Sequence, residues 1–291
     1  MAGAGWVWTV RGRCLRFNRP LVMGVVNVTP DSFFDGGRYS TAEAAIAHCR
    51  ELLRQGADIL DIGGESSRPG SKPVPADEEI RRIAPVIRAI VLETQVPVSC
   101  DTWKSRTAEA AIEAGASIIN DISAGTLDPL LFDVVRRHSA GIILMHMKGT
   151  PETMQDNPVY ADAAAEIADF LADALSRAHR AGIPAEAVAV DPGIGFGKRV
   201  CDNLVILKRL SALAALGRPV VIGASRKSFI GRITGAEPQE RLAGSLASAV
   251  IAALNGAAVI RTHDVAETRQ ALAVAEAVMN AGEHEGENPL P

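Results

Sequence analysis

Short apolar runs recur about eight times along the chain, a few tens of residues apart, and each stops at a polar or charged side chain. The run Leu21 to Val26 stops at Asn27, Ile59-Leu60 at Asp61, Val96 to Cys100 at Asp101, and Ile118-Ile119 at Asn120-Asp121. Further on, Ile142 to Met145 stops at His146 and Val188 to Val190 at Asp191. Val220 to Gly223 leads into Ser225-Arg226-Lys227, and Val259-Ile260 stops at Arg261 and His263. A parallel strand buried on both faces reads as such a continuous apolar run.

Helical patterns fill the intervals. Ala42, Ile46, Cys49 and Leu53 share one face of a 3.6-residue period, as do Ile80, Ile83, Ile87 and Val91. Pro85 is expected to kink the second of these helices. Ser40 with Glu43 fits a capping box, and Asp128-Pro129 fits an N-cap followed by proline at the first helical position. Gly56, Gly115, Gly141, Gly182, Gly217 and Gly256 each precede a strand run, where a left-handed residue would end the preceding helix. Residues 5–17, turning at Arg11-Gly12, are expected to form a hairpin over the bottom of the fold.

Strands alternating with helices make an α/β fold. Eight such units favour a closed (β/α)8 TIM barrel with an N-terminal β-hairpin. Catalytic groups in that fold sit where the strands finish, which is where the polar residues fall. A single domain is expected over residues 1–281. The stretch 282–291, rich in Glu, Asn and Pro, has the composition of a disordered tail.

Length and charge narrow the class. At 291 residues and 47% hydrophobic content the chain can bury a sizeable core. A net charge of -4 gives no basic footprint for nucleic acid. No stretch reaches the roughly 18 apolar residues of a membrane span, and the N-terminus lacks a secretory pattern. A cytoplasmic enzyme is the expectation. Cys14, Cys49, Cys100 and Cys201 lack metal-site spacing. They read as reduced thiols, three of them in apolar surroundings.

Five loops after strand runs carry candidate chemistry. The segment from Asn27 to Gly37 holds Asp31 and Asp35 with hydroxyls and two terminal glycines, although Pro-Asp and Gly-Gly also build ordinary turns. The segment Gly63 to Gly70 places Arg68, a forked donor for oxyanions, among glycines. Asp191 to Lys198 sets three glycines around Phe196, as an exposed ring covering a flat heterocycle would need; its spacing does not fit G-x-G-x-x-G. Ser225 to Ser228 and Arg261 to Asp264 bring two arginines, a lysine and a histidine to the ends of the last two strands, where barrels often bind phosphate. Asp101, Asn120 and Asp191 would form a polar floor. Buried carboxylates need partners, and a ligand rich in N–H groups would supply them. A purely structural network is the competing reading. The other histidines, His48, His138, His179 and His284, fall in helical patterns or the tail and read as surface residues.

The stretches NVTPDSFFDGG (27–37), GGESSRPG (63–70), DPGIGFGK (191–198), SRKS (225–228) and RTHDV (261–265) resemble, in order, the signatures of the dihydropteroate synthase family. The resemblance runs from about Leu21 to Val278. It implies condensation of 6-hydroxymethyl-7,8-dihydropterin diphosphate with p-aminobenzoate, giving 7,8-dihydropteroate and pyrophosphate. By resemblance, Asp101, Asn120, Asp191 and Lys227 hold the pterin, with Met145, Gly223 and Arg261 lining it. Asn27, Arg261 and His263 would hold the diphosphate, Asn27 also reaching Mg²⁺. Ser67, Pro69, Phe196 and Ser228 would line the p-aminobenzoate pocket, with Arg68 and Arg226 nearby. Asp101, Lys227, Arg261, Asp31 and Asp35 carry the catalytic expectation, the last two on a loop that closes with Thr29.

The resemblance also implies a homodimer through the late helices. Two positions depart from the family pattern. Ser67 stands where many members have threonine, and Trp103 where a smaller residue is common. Both bear on sulfonamides, which mimic p-aminobenzoate, and a sulfonamide-insensitive variant is one reading of them. Three other functions remain in view. A methyltetrahydrofolate methyltransferase would need a corrinoid partner and leaves the basic cluster unexplained. A Schiff-base aldolase would use Lys227. A non-catalytic pterin-binding paralogue would be expected to have lost one of the loop residues.

Overall fold

The computed structural model describes residues 5–29, 41–66 and 70–281. A hairpin of β1 (Trp6–Val10) and β2 (Arg13–Phe17) comes first, turning at Arg11 and Gly12, both at positive φ. Eight strands follow, each trailed by helix. They are β3 (Leu21–Asn27), β4 (Ile59–Gly63), β5 (Val98–Asp101), β6 (Ile118–Asp121), β7 (Gly141–Met145), β8 (Val188–Asp191), β9 (Val221–Ile222) and β10 (Val259–Thr262). The helices are α1 (Thr41–Arg54), α2 (Ala76–Val91), α3 (Ser105–Ala114), α4 (Leu131–Arg137), α5 (Ala163–Arg180), α6 (Val200–Lys208), α7 (Ser211–Ala214), α8 (Ser228–Thr234), α9 (Leu242–Leu254) and α10 (Val265–Met279).

The strands pair in parallel in the order β8-β7-β6-β5-β4-β3-β10-β9. An isolated parallel bridge, Val190 to Val220, joins the two ends and makes a nearly closed (β/α)8 barrel. Alternation within each strand sorts the side chains, because neighbours point to opposite faces. Val22, Leu60, Ile62, Cys100, Ile119, Ile142, Leu144, Val190, Ile222 and Ile260 belong to the core shared with the helices. Met23, Ile59, Ile118, Ile143, Ala189, Val221 and Val259 form a separate cluster with Trp8 and Val10 of the hairpin. That cluster plugs the amino end of the barrel. Trp8 Nε1 donates to Ala187 O at 3.0 Å, and Arg11 Nη1 to Ile112 O at 3.0 Å, so the plug is tied down at its edge. Two residues beyond the plug on the same face come Asp61, Asn120, Met145, Asp191, Gly223 and Arg261. The polar layer therefore follows from strand periodicity.

Helix α2 spans Pro85, which lies on the exposed face, where solvent can serve the carbonyl deprived of its donor. Other local expectations change. Asp128 is not the N-cap of α4; it accepts from Leu130 N at 3.0 Å in the preceding turn and from Ser105 N at 2.7 Å at the start of α3. Gly56, Gly115, Gly182, Gly217 and Gly256 take positive φ as expected, but Gly141 lies inside β7. Ser139 is the left-handed residue there. Gly141 is small for another reason: a Cβ on it would stand 2.6 Å from Val10 of the hairpin. Cys49 and Cys100 are buried, whereas Cys14 and Cys201 are exposed, so two thiols rather than three have apolar surroundings. Burial lowers the basicity of half-buried His48. Ser40, His284 and residues 282–291 lie outside the described residues.

Candidate active site

At the carboxyl end the floor of the barrel is built around one guanidinium. Arg261 of β10 donates through Nε to Asp61 Oδ2 at 2.6 Å and through Nη2 to Asp101 Oδ2 at 2.8 Å. Asn120 Nδ2 donates to the same Asp61 oxygen at 3.1 Å. Four strands, β10, β4, β5 and β6, are thus joined through side chains alone. Burial lowers the proton affinity of Arg261, but Asp61 and Asp101 outweigh it, so the guanidinium remains charged. Burial pushes Asp101 up to about 7, with Arg261 opposing and Asp61 and Glu79 adding to the rise. Its side chain keeps 13% exposure, which faces it to the mouth. Burial likewise pushes Asp191 up to about 6, against the Gly193 N–H that donates to it at 2.6 Å. Both carboxylates are poised to be held ionised by incoming N–H donors.

The loop after β8 supplies the wall. Gly193, Gly195 and Gly197 all take positive φ. Gly193 also sits where a Cβ would lie 2.1 Å from His146 O, so no side chain fits. Phe196 is buried at 8% exposure, in a cluster with Ile122, Met145 and Met154. The expected exposed ring is therefore corrected: neighbouring apolar side chains cover it, and the Lys227 ammonium lies 4.1 Å from its centroid. Beneath the loop, Lys198 Nζ donates to Phe196 O at 2.9 Å and His146 O at 3.2 Å, and lies 2.9 Å from His146 Nδ1. Burial lowers Lys198 to about 7 and His146 to about 3, so His146 is neutral near pH 7.

The basic cluster proves less positive than its composition suggests. Arg226 donates through Nε to Asp264 at 3.0 Å and forms a second contact with it through Nη2. Arg261 is committed to two carboxylates. Burial, reinforced by Arg261 and Arg226, lowers His263 to about 4, and its Nδ1 lies 3.1 Å from Ser225 Oγ. The anion attraction of this rim therefore rests on geometry more than on a sum of free charges.

Asp101, Asn120, Met145, Asp191, Phe196, Gly223, Lys227 and Arg261 converge on one mouth. A Cβ on Gly223 would be 3.8 Å from Arg261, in ordinary contact. Asn27 ends β3 opposite Gly63, at the rim. His263 follows β10, Arg226 follows β9, and Ser228 opens α8, all at the same end. Asp31, Asp35, Ser67, Arg68 and Pro69 lie outside the described residues. The structure adds Asp61, Lys198 and Ser225, which sequence reasoning did not place in the site. For Asp61 the signal existed, since a lone carboxylate in an apolar run is the same mark that singled out Asp101.

A family profile described as "Pterin binding enzyme" matches residues 23–263. The dihydropteroate synthase of Escherichia coli K12 is 42% identical over 274 residues, covering 94% of this chain and 97% of that protein. A crystal structure of the Xanthomonas albilineans dihydropteroate synthase with 4-aminobenzoic acid superposes with a TM-score of 0.90 at 47% identity, covering 94% of this chain and 98% of that one. The same enzyme in complex with 7,8-dihydropteroate gives a TM-score of 0.86 at 45% identity, with coverages of 94% and 98%. The barrel, its acid-lined floor and this near full-length similarity agree: the chain belongs to the dihydropteroate synthase family of pterin-binding enzymes.

Proposed function

We propose that the chain condenses 6-hydroxymethyl-7,8-dihydropterin diphosphate with p-aminobenzoate, yielding 7,8-dihydropteroate and pyrophosphate. The single observation that carries this reading is the Arg261 hub, with Asp101 held at the mouth beside Lys227 and Asp191. An aminopyrimidinone edge donates N–H groups to Asp101, Asp191 and the Asn120 amide oxygen, and its carbonyl accepts from Lys227. Solved structures of a relative contain 4-aminobenzoic acid or 7,8-dihydropteroate.

Charge accounts for the chemistry. The bond between the pterin methylene carbon and the diphosphate oxygen breaks, and pyrophosphate leaves with the electron pair. Positive charge spreads over the pterin, close to Asp101 and Asp191. Arg261, Lys227 and the His263 rim face the departing anion, where preorganised donors act most strongly. The arylamine nitrogen attacks the methylene and releases one proton. An arylamine is largely unprotonated near neutrality, so no strong general base is required. A cation-stabilising role for Asp31 or Asp35 belongs to the same proposal and falls on residues outside the described structure.

Mg²⁺ is part of this proposal. Among the described residues no cluster of three or more His, Cys, Asp or Glu side chains forms a metal cage. Asn27 offers one neutral oxygen at the rim, which fits an ion that keeps waters and takes its remaining ligands from a diphosphate. The ion would neutralise leaving-group charge. A cytoplasmic location fits a chain in which no described helix is long and apolar enough to cross a membrane. A homodimer through the late helices is supported by exposed Ile251 and Leu254 on α9 and Val274, Val278 and Met279 on α10. Light scattering is expected to return twice the chain mass, and a monomer at micromolar concentration would refute the dimer.

The decisive experiment mixes purified protein, Mg²⁺, the pterin diphosphate and p-aminobenzoate, then measures pyrophosphate and product mass. Equimolar pyrophosphate and 7,8-dihydropteroate are expected. No product under these conditions refutes the reading. A sulfonamide titration in the same mixture determines whether this site admits mimics of p-aminobenzoate.

A further inference from the structure

One residue at the mouth stands in a conformation that its side chain does not favour. Arg226, in the loop after β9, takes φ of 57°. Left-handed backbone at a residue with a Cβ costs free energy and persists only where the surroundings hold it. The groups that hold it come from the start of α9. Ser245 Oγ accepts from the Arg226 N–H at 2.9 Å and donates to Arg241 O at 2.7 Å, one turn earlier. Arg241, the N-cap residue of α9, returns to the same residue: its Nη1 donates to Arg226 O at 3.2 Å, while its Nε donates to Ala236 O at 3.0 Å.

Both backbone polar groups of residue 226 are therefore gripped by side chains. Neither grip has slack. Ser245 is buried, and the Arg241 guanidinium packs so closely on α8 that a Cβ on Gly231 would collide with it. The Arg226 guanidinium is tied separately, through Nε to Asp264 at 3.0 Å, just past the end of β10. What the clamp fixes is the residue that leaves it. Lys227 follows directly, and its ammonium lies 4.1 Å from the centroid of the Phe196 ring. A return of residue 226 to an ordinary negative φ would rotate the chain beyond it and swing the Lys227 stem away from that ring.

We propose that Ser245 and Arg241 are positioning residues for the pterin: together they hold residue 226 left-handed and so aim Lys227 at the heterocycle. This rests on the function proposed above.

A double-mutant cycle on the full chain, with Mg²⁺ and saturating p-aminobenzoate, tests it. Ser245→Ala removes one grip and is expected to lower kcat/KM for the pterin diphosphate by about fivefold, the worth of one hydrogen bond. In a Lys227→Ala background the same change should lower it by less than about twofold, because the ammonium that Ser245 aims is gone. A purely structural role would give the same loss in both backgrounds. Arg241→Met is expected to follow the pattern of Ser245→Ala, and it decides if Ser245→Ala does not fold. Wild-type kcat/KM in Ser245→Ala and Arg241→Met overturns the proposal, and so does a loss of equal size with and without Lys227. A wild-type enzyme that makes no dihydropteroate sinks the functional reading and this inference with it. Wild-type turnover with equal losses in the two backgrounds sinks the inference alone.

Discussion

Arg261 gathers Asp61 and Asp101 from two other strands, so the floor is a connected unit rather than a set of separate contacts. Asp101→Asn and Lys227→Ala are each expected to lower turnover by at least about tenfold with the fold intact by circular dichroism. Wild-type rates in both would remove them from the site. The acidity of the floor gives a second prediction. Burial holds Asp101 at about 7 and Asp191 at about 6, and each accepts N–H donors only when ionised. Pterin affinity should therefore rise with pH from 5 to 8 (about the span of both titrations). In Asp101→Asn the upper step should vanish while the lower one stays. A flat calorimetric profile would refute the assignment. Asp101, Asn120 and Asp191 were legible in the sequence because each ends an apolar run. Asp61 carried the same mark, but nothing local showed that its carboxylate would accept from an arginine on a strand 200 residues away. Lys198 left no mark, because nothing in a glycine-rich loop tells which lysine will be buried.

At the level of elements, the β8 loop shows how backbone shape places a ring. Gly193 combines φ of 68° with a carbonyl in the space a Cβ would need. Gly193→Ala should cost about 2 kcal/mol or more of stability, read as a drop in the unfolding midpoint. Catalysis should suffer as well, because Phe196 rides on the same turn; a variant with wild-type stability and rate would show that the loop can yield. The strand runs and helix stripes were readable because burial imposes their periods. The failures share one cause. Asp128 and Gly141 act through neighbouring elements, and local pattern carries no record of those.

Across the whole molecule, stability and chemistry occupy opposite ends of the barrel. Trp8 is fully buried among Met23, Ile59, Ile118 and Val259, far along the strands from the polar floor. Trp8→Ala should destabilise the protein by about 3–5 kcal/mol, visible in denaturant titration, while leaving both KM values near wild type in the folded fraction. Altered substrate affinity would mean that the plug and the mouth communicate. The barrel with its covering hairpin was legible because eight runs and one Arg-Gly turn sufficed. How the ring closes left no mark in the sequence.

That closure has a consequence of its own. Among the described residues, the sixth and seventh staves share one isolated backbone bridge, between Val190 and Val220, while their other edges carry ladders. Phe196 and Lys227 stand on opposite banks of this seam and meet across its top. A heterocycle lodged between them would act as a clasp, and the Val190 amide should exchange its hydrogen more slowly once the clasp is in place.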